Sequence, residues 1–150
     1  DDFQMSHDNS KECLLPSLYN CYKEKKLPSV FGTNFKTKDG SALRDYLDVR
    51  DLSETHFLAA KYLIDQKGKI SMQLNVGTGK PYSVIEIINI FAKRLSISNN
   101  FNDLGRNSAD PDAVWANTNK FFSLFNWKPK WTLEESIKSF IDSKSKECNS

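Results

Sequence analysis

Around Gly77 the sequence reads Leu74-Asn75-Val76-Gly77-Thr78-Gly79-Lys80-Pro81-Tyr82-Ser83-Val84: an apolar lead-in, two glycines, a lysine, then a periodic apolar run. This is the order of types that a strand feeding a phosphate-cradling loop and a helix requires. Glycine lets backbone N–H groups close on an anion, and the helix N-terminus adds a favourable dipole. The spacing satisfies neither nucleotide motif. A P-loop needs glycine where Leu74 stands and Ser or Thr where Pro81 stands. A dinucleotide fingerprint needs a third glycine where Tyr82 stands, and a strand with an acidic end about 20 residues on. Leu95-Ser96-Ile97 lies there instead. The better reading is a tight strand-to-helix turn in which glycine supplies conformational freedom.

The elements that must position such a turn follow from apolar spacing. Residues 1–10 are polar and irregular. Leu14, Leu15, Leu18, Cys21 and Tyr22 predict an amphipathic helix from Glu12 to about Lys26, with basic residues at its C-terminal end. Ser29-Val30-Phe31-Gly32 reads as a short edge strand, and Asp39-Gly40 as a turn. Residues 42–49 alternate as a half-buried strand does, and a helix from Asp51 to about Asp65 carries Phe57, Ala60 and Ile64 on one side. Residues 71–76 predict a further strand. Ser83 with Glu86, and Thr132 with Glu135, have the capping-box spacing and open helices carrying Val84, Ile87, Ile88, Phe91 and Leu95, and Leu133, Ile137, Phe140 and Ile141. Residues 96–112 read as a polar connector, 118–127 as a short helix, and 143–150 as a tail.

Composition bounds the class. The chain has 150 residues, 39% hydrophobic and 27% charged, with a formal charge of +2, as a soluble globular domain with a modest core has. That balance, without a basic stripe, points away from nucleic acid. No apolar run approaches the roughly 20 residues of a membrane span. The acidic N-terminus shows no signal peptide, and Cys13, Cys21 and Cys148 lack disulfide or zinc spacing, which fits a reducing cytoplasm. The first residue is Asp rather than Met, as expected of a fragment or processed piece.

The longest patterned stretch is Ser29 to Leu52. Phe31, Gly32, Phe35, Thr37, Asp39, Gly40, Arg44, Asp45, Tyr46, Leu47, Val49, Asp51 and Leu52 match, in order and spacing, a pattern that resembles the UDP-glucose (UDP-galactose) 4-epimerases of the extended short-chain dehydrogenase/reductase family. His56, the segment 74–88, the segment from Arg106 to Asn117 and the block from Leu124 to Lys130 also resemble that family, so the likeness runs from about Cys13 to Ile141. It implies an α/β fold: the substrate-binding lobe of an extended NAD(P)-binding Rossmann-type enzyme, with several helices and short strands. The implied portion is the C-terminal half, with the NAD-binding half and the family's Tyr-x-x-x-Lys pair elsewhere. Tyr19 to Lys23 and Tyr22 to Lys26 have that spacing, but both lie on a predicted helix upstream of the C-terminal-half pattern. The implied chemistry is NAD-dependent 4-epimerisation of a UDP-hexose through a 4-keto sugar, by a homodimer when complete. Apolar surface is expected where the other half would dock. Dehydratases and decarboxylases of the same superfamily, or a non-catalytic UDP-sugar binding module, are the alternatives.

The resemblance also implies site residues. Arg44 becomes a diphosphate contact, for which a bidentate guanidinium is suited; its plain reading is an arginine paired with Asp45. Ser29, Val30 and Phe31 would meet uracil through backbone groups, and Cys13 and Leu14 open the helix that meets the sugar nucleotide. Tyr46 follows Arg44 in the same motif. Arg106 is retained, while the second arginine of the family pattern is Asn107, so either Arg106 replaces it or the diphosphate is held more weakly. Asp110 would accept a ribose or sugar hydroxyl. Val114 implies room for an N-acetyl group at the sugar's C2. Asp48 stands where the family commonly has His, and Cys13 where it has Asn or His.

Overall fold

In this computed structural model residues 13–147 are described, so the irregular N-terminus, Glu12 and Cys148 lie outside the described residues. Five helices and five short strands follow one another: α1 (Leu14–Lys23), β1 (Ser29–Val30), β2 (Leu43–Asp45), α2 (Val49–Asp65), β3 (Pro81–Ser83), α3 (Val84–Leu95), β4 (Asn102–Asp103), β5 (Ala113–Val114), α4 (Asn119–Phe125) and α5 (Leu133–Glu147). β1 pairs parallel with β4. β2 is the central strand of a three-stranded sheet, antiparallel to β3 and parallel to β5. The expected α/β architecture of helices with short strands is present.

The core forms where the apolar faces of α1, α3 and α5 meet. Leu18, Tyr19, Val30, Ile87, Ile88, Phe91, Leu133, Ile137, Phe140 and Ile141 are buried together. Tyr19 meets Phe140 edge to face with ring centroids 6.1 Å apart, a geometry favoured by the ring quadrupoles. Both capping boxes form. Ser83 N–H donates to Glu86 at 2.7 Å and Glu86 N–H donates back to Ser83 Oγ at 3.0 Å. Thr132 N–H donates to Glu135 at 2.8 Å, and Glu135 N–H to Thr132 Oγ1 at 3.2 Å.

Several elements differ from the sequence-based expectation, each for a physical reason. The strand expected over 42–49 stops at Asp45, because Asp48 accepts the Arg50 N–H at 2.9 Å and caps α2, which begins at Val49 rather than Asp51. On α2 the residues turned inward are Asp51 and Thr55, whereas Phe57 and Ile64 are 68% and 76% exposed. Residues 71–76 form no ladder: among the described residues no strand pairs with them to take up their backbone hydrogen bonds. The connector holds β4: Asn102 N–H donates to Pro28 O at 2.8 Å and Leu104 N–H to Val30 O at 2.9 Å. The expected tail instead continues α5 to Glu147, with Lys144 buried along it. α1 ends at Lys23, before the basic cluster is complete.

Asp48 and Asp51 tie α2 to the C-terminal region. Asp48 takes the Arg50 guanidinium through both oxygens and the Ser136 hydroxyl of α5. Burial acts to raise the Asp48 carboxyl, but these hydrogen bonds and the Arg50 charge outweigh it and hold the group below the usual carboxylate range. Asp51, 1% exposed, accepts the Lys130 N–H through both oxygens and the Trp131 N–H, each at 3.1 Å. Replacing Asp51 with Ala strands both donors, so Asp51→Ala is expected to lose about 3 kcal/mol of stability in urea unfolding. A loss below about 0.5 kcal/mol would mean that water satisfies those groups equally well.

Candidate sugar-nucleotide cleft

The turn that opened the sequence is closed around a carboxylate of the chain itself. Asp45, at the end of β2, accepts the Thr78 N–H at 2.9 Å, the Gly79 N–H at 3.1 Å and the Ala116 N–H at 3.3 Å, together with the Thr78 hydroxyl. Those amides are the ones a phosphate loop would offer to a ligand. Here they hold Asp45, so the turn has no cradle left for the pyrophosphate of NAD. Gly77 is needed because a Cβ there would overlap Asp45 Oδ2 and stand 2.9 Å from Ala116 Cβ. Sequence reasoning placed Asp45 in the family pattern and beside Arg44, but not at this turn. The signal was a glycine turn followed by proline, which needs an internal acceptor once no ligand motif fits.

Beside this turn lies an open cleft of about 510 Å³, lined by residues that include Arg44, Asn75, Val114, Trp115 and Asn117. Register places Arg44 opposite Val114 on one side and Tyr82 on the other. Among the described residues no ion pair joins Arg44 to Asp45, so the plain reading of a strand salt bridge does not hold. Arg44 uses one terminal nitrogen for the carbonyls of Leu43, at 2.8 Å, and Pro111, at 3.2 Å. Tyr46 packs half-buried against the core; burial pushes its hydroxyl up, with the Arg44 charge opposing.

Arg106 reaches the loop of residues 110–112, to which Arg44 also donates. One terminal nitrogen meets the Asp112 carboxylate at 2.8 Å and the other the Asp110 carbonyl at 2.7 Å, with the guanidinium 4.2 Å from the Phe35 ring centre. Asn107 is exposed and caps the loop by accepting the Ala109 N–H at 3.0 Å. Asp110 is half-buried, and its N–H donates to Asn107 O at 3.0 Å. Ser29 and Val30 form β1, and Phe31 beyond them is 65% exposed. Cys13 precedes α1 as its exposed N-cap, and Leu14 packs half-buried on the core. The structure thus brings Arg44 and Val114 together in the cleft and links Arg44 and Arg106 through residues 110–112. Cys13, Leu14 and Ser29–Phe31 lie on other elements and do not line it. Asn75, Trp115 and Asn117 line it and were not foreseen.

The sequence and the fold have clear relatives. A UDP-glucose 4-epimerase of Arabidopsis thaliana is 41% identical over 108 residues, covering 71% of this chain and 30% of that protein. The crystal structure of UDP-glucose 4-epimerase from Stenotrophomonas maltophila, with bound NAD and formylated UDP-arabinopyranose, superposes with a TM-score of 0.83 at 26% identity, over 97% of this chain and 43% of that one. The chain belongs with the UDP-glucose 4-epimerases. The UDP-Glc/GlcNAc 4-epimerase of Campylobacter jejuni is 30% identical, with a TM-score of 0.71 over 96% of this chain and 43% of that one. The chain spans about a third of the length of the curated epimerases it matches. No family model matches it. Among the described residues of this epimerase-like chain, no helix is long and apolar enough to cross a membrane.

Closure of the turn on Asp45 is testable. Gly77→Ala is expected to destabilise the chain by about 2 kcal/mol through overpacking, read as a lower melting temperature. An unchanged melting temperature would mean that the turn is looser than the contacts to Asp45 and Ala116 describe.

Proposed function

We propose that this chain is the C-terminal, UDP-sugar-binding half of a UDP-glucose 4-epimerase, an enzyme interconverting UDP-glucose and UDP-galactose through a 4-keto intermediate. The observation that carries the reading is agreement in both sequence and fold with UDP-glucose 4-epimerases, 41% identity with one and a TM-score of 0.83 with another. The cleft supports it. Nε and one terminal nitrogen of Arg44 have no partner among the described residues. A guanidinium with donors to spare, on the central strand, suits a diphosphate. Val114, 49% exposed, and Trp115, 53% exposed, offer an apolar floor on which a sugar can turn over.

In this reading Ser29, Val30 and Phe31 meet the uracil edge through backbone groups, as an added strand would. Asp110 accepts a hydroxyl of the ribose or sugar. Cys13, Leu14, Tyr46, Arg106 and Asn107 border the nucleotide. NAD supplies the hydride acceptor and donor when bound; in this reading an NAD-binding half outside this chain holds it, and the engagement of the Thr78 and Gly79 amides by Asp45 supports that. That half docks on α2, where Phe57 and Ile64 are exposed and where Tyr62 and Leu63 line, with Met72 and Phe125, an apolar groove of about 240 Å³. The unladdered segment 71–76 then finds its strand partner there. The chain alone binds and orients the UDP-sugar without epimerising it, and the complete enzyme is a homodimer.

Calorimetric titration with UDP tests the reading. Binding to the chain, weakened about tenfold to a hundredfold in Arg44→Ala, is expected; full affinity in that variant would remove Arg44 from the site. Val114 also leaves space at the sugar's C2. An enzyme containing this chain is expected to turn over UDP-N-acetylglucosamine at a rate comparable to UDP-glucose, and strict rejection of the acetylated sugar would end that part of the reading.

A further inference from the structure

The two guanidinium groups around residues 110–112 end on adjacent carbonyls yet differ in what they leave free. Arg44 donates through one nitrogen to Leu43 O and Pro111 O. Arg106 is engaged on three sides: Asp112 Oδ1, Asp110 O and the face of the Phe35 ring. The same Asp112 oxygen accepts the Lys36 N–H at 3.2 Å, and the Asp112 carbonyl accepts the Leu43 N–H at 2.9 Å. Asp112 is thereby fixed to β2 and to the loop before it, and cannot follow Arg106 if that side chain moves. Gly32 closes the remaining side: a Cβ there would stand 2.7 Å from Arg106 Cβ and 3.0 Å from the Phe35 ring. The charge of Arg106 is also matched by a carboxylate, 2.8 Å away, whereas among the described residues no carboxylate forms an ion pair with Arg44.

From this we infer that Asp112 is a positioning residue that holds Arg106 as a neutralised strut of the loop, leaving Arg44 as the single guanidinium that meets the diphosphate. The inference rests on the sugar-nucleotide reading of the cleft and specifies how its anion is held. Arg106 does not swing in to supply a second fork. The site binds its diphosphate through one cation, and Asp112 limits both affinity and salt dependence.

The test compares the full 150-residue chain with Asp112→Asn, Arg44→Ala and Arg106→Ala by calorimetric titration with UDP at several NaCl concentrations. Asn at 112 keeps an oxygen for Arg106 and for the Lys36 N–H, so the loop stays in place while the neutralising charge is lost. UDP binding by Asp112→Asn is expected to tighten about threefold to tenfold at low salt and to fall more steeply with salt than that of the wild type. In ¹⁵N spectra, rotation of the Arg106 guanidinium should be slow in the wild type and faster in Asp112→Asn, a signature that a purely structural role of Asp112 would not link to UDP affinity. Arg106→Ala is expected to cost less affinity than Arg44→Ala. An equal cost for the two arginines, with Asp112→Asn unchanged in UDP affinity, would overturn the inference while leaving the cleft reading standing. Failure of every variant and of the wild type to bind UDP would overturn both.

Discussion

Three carboxylates in one short segment organise this structure. Asp45, Asp48 and Asp51 each take hydrogen-bond donors from a part of the chain far away in sequence. Asp45 gathers the Thr78–Gly79 turn and Ala116, Asp48 reaches Ser136 on α5, and Asp51 holds the backbone of Lys130 and Trp131. Backbone N–H groups in irregular segments need acceptors when they are buried, and strands of two or three residues provide few. A carboxylate supplies two oxygens and a charge, which strengthens each bond it accepts. Side chains on the short run from β2 into α2 thus do the cross-linking that longer sheets do through backbone ladders.

That constraint also decides where a ligand can be read. A glycine turn with its amides engaged by Asp45 is an anion site already occupied. One strand position away lies Arg44, a guanidinium with no ion-pair partner among the described residues, whose neighbour has committed its own charge to the turn. The hydrogen bonds explain this division: Asp45, which also borders the cleft, spends its oxygens on the turn and on Ala116, whereas Arg44 gives one nitrogen to two carbonyls. Asp39 repeats the device at the other end of β2. Burial acts to raise its carboxyl, but hydrogen bonds from Ser83 and Ser41 outweigh that and hold it low, joining the loop before β2 to the start of α3.

Much of this was legible in the sequence, and what was not has identifiable causes. The two capping boxes and the apolar faces of α3 and α5 rest on local spacing, and they formed as read; on α1 the face is rotated, burying Tyr19 with Leu18 and leaving Tyr22 exposed. The Ser29–Leu52 pattern led to the family that sequence and fold then matched. Residues 71–76 have the composition of a strand but no partner among the described residues, and composition cannot report a partner. Residues 46–49 alternate as a strand does, yet the capping power of Asp48 overrode the alternation. β4 lay hidden in a polar connector because two residues make no periodicity. The contacts of Asp45 and Asp112 were not foreseen for one reason: each acts on backbone or side chains tens of residues distant or across a turn, and only the fold brings those together.

The central claim is that the glycine turn is filled from within and that a sugar nucleotide is recognised around Arg44. Amide chemical-shift mapping of the ¹⁵N-labelled chain during titration with UDP-glucose tests it most directly. The account predicts perturbations at Arg44, Val114 and Trp115 and along Ser29–Phe31, with Thr78 and Gly79 unmoved. Perturbations centred on residues 77–80, or none anywhere, would contradict it.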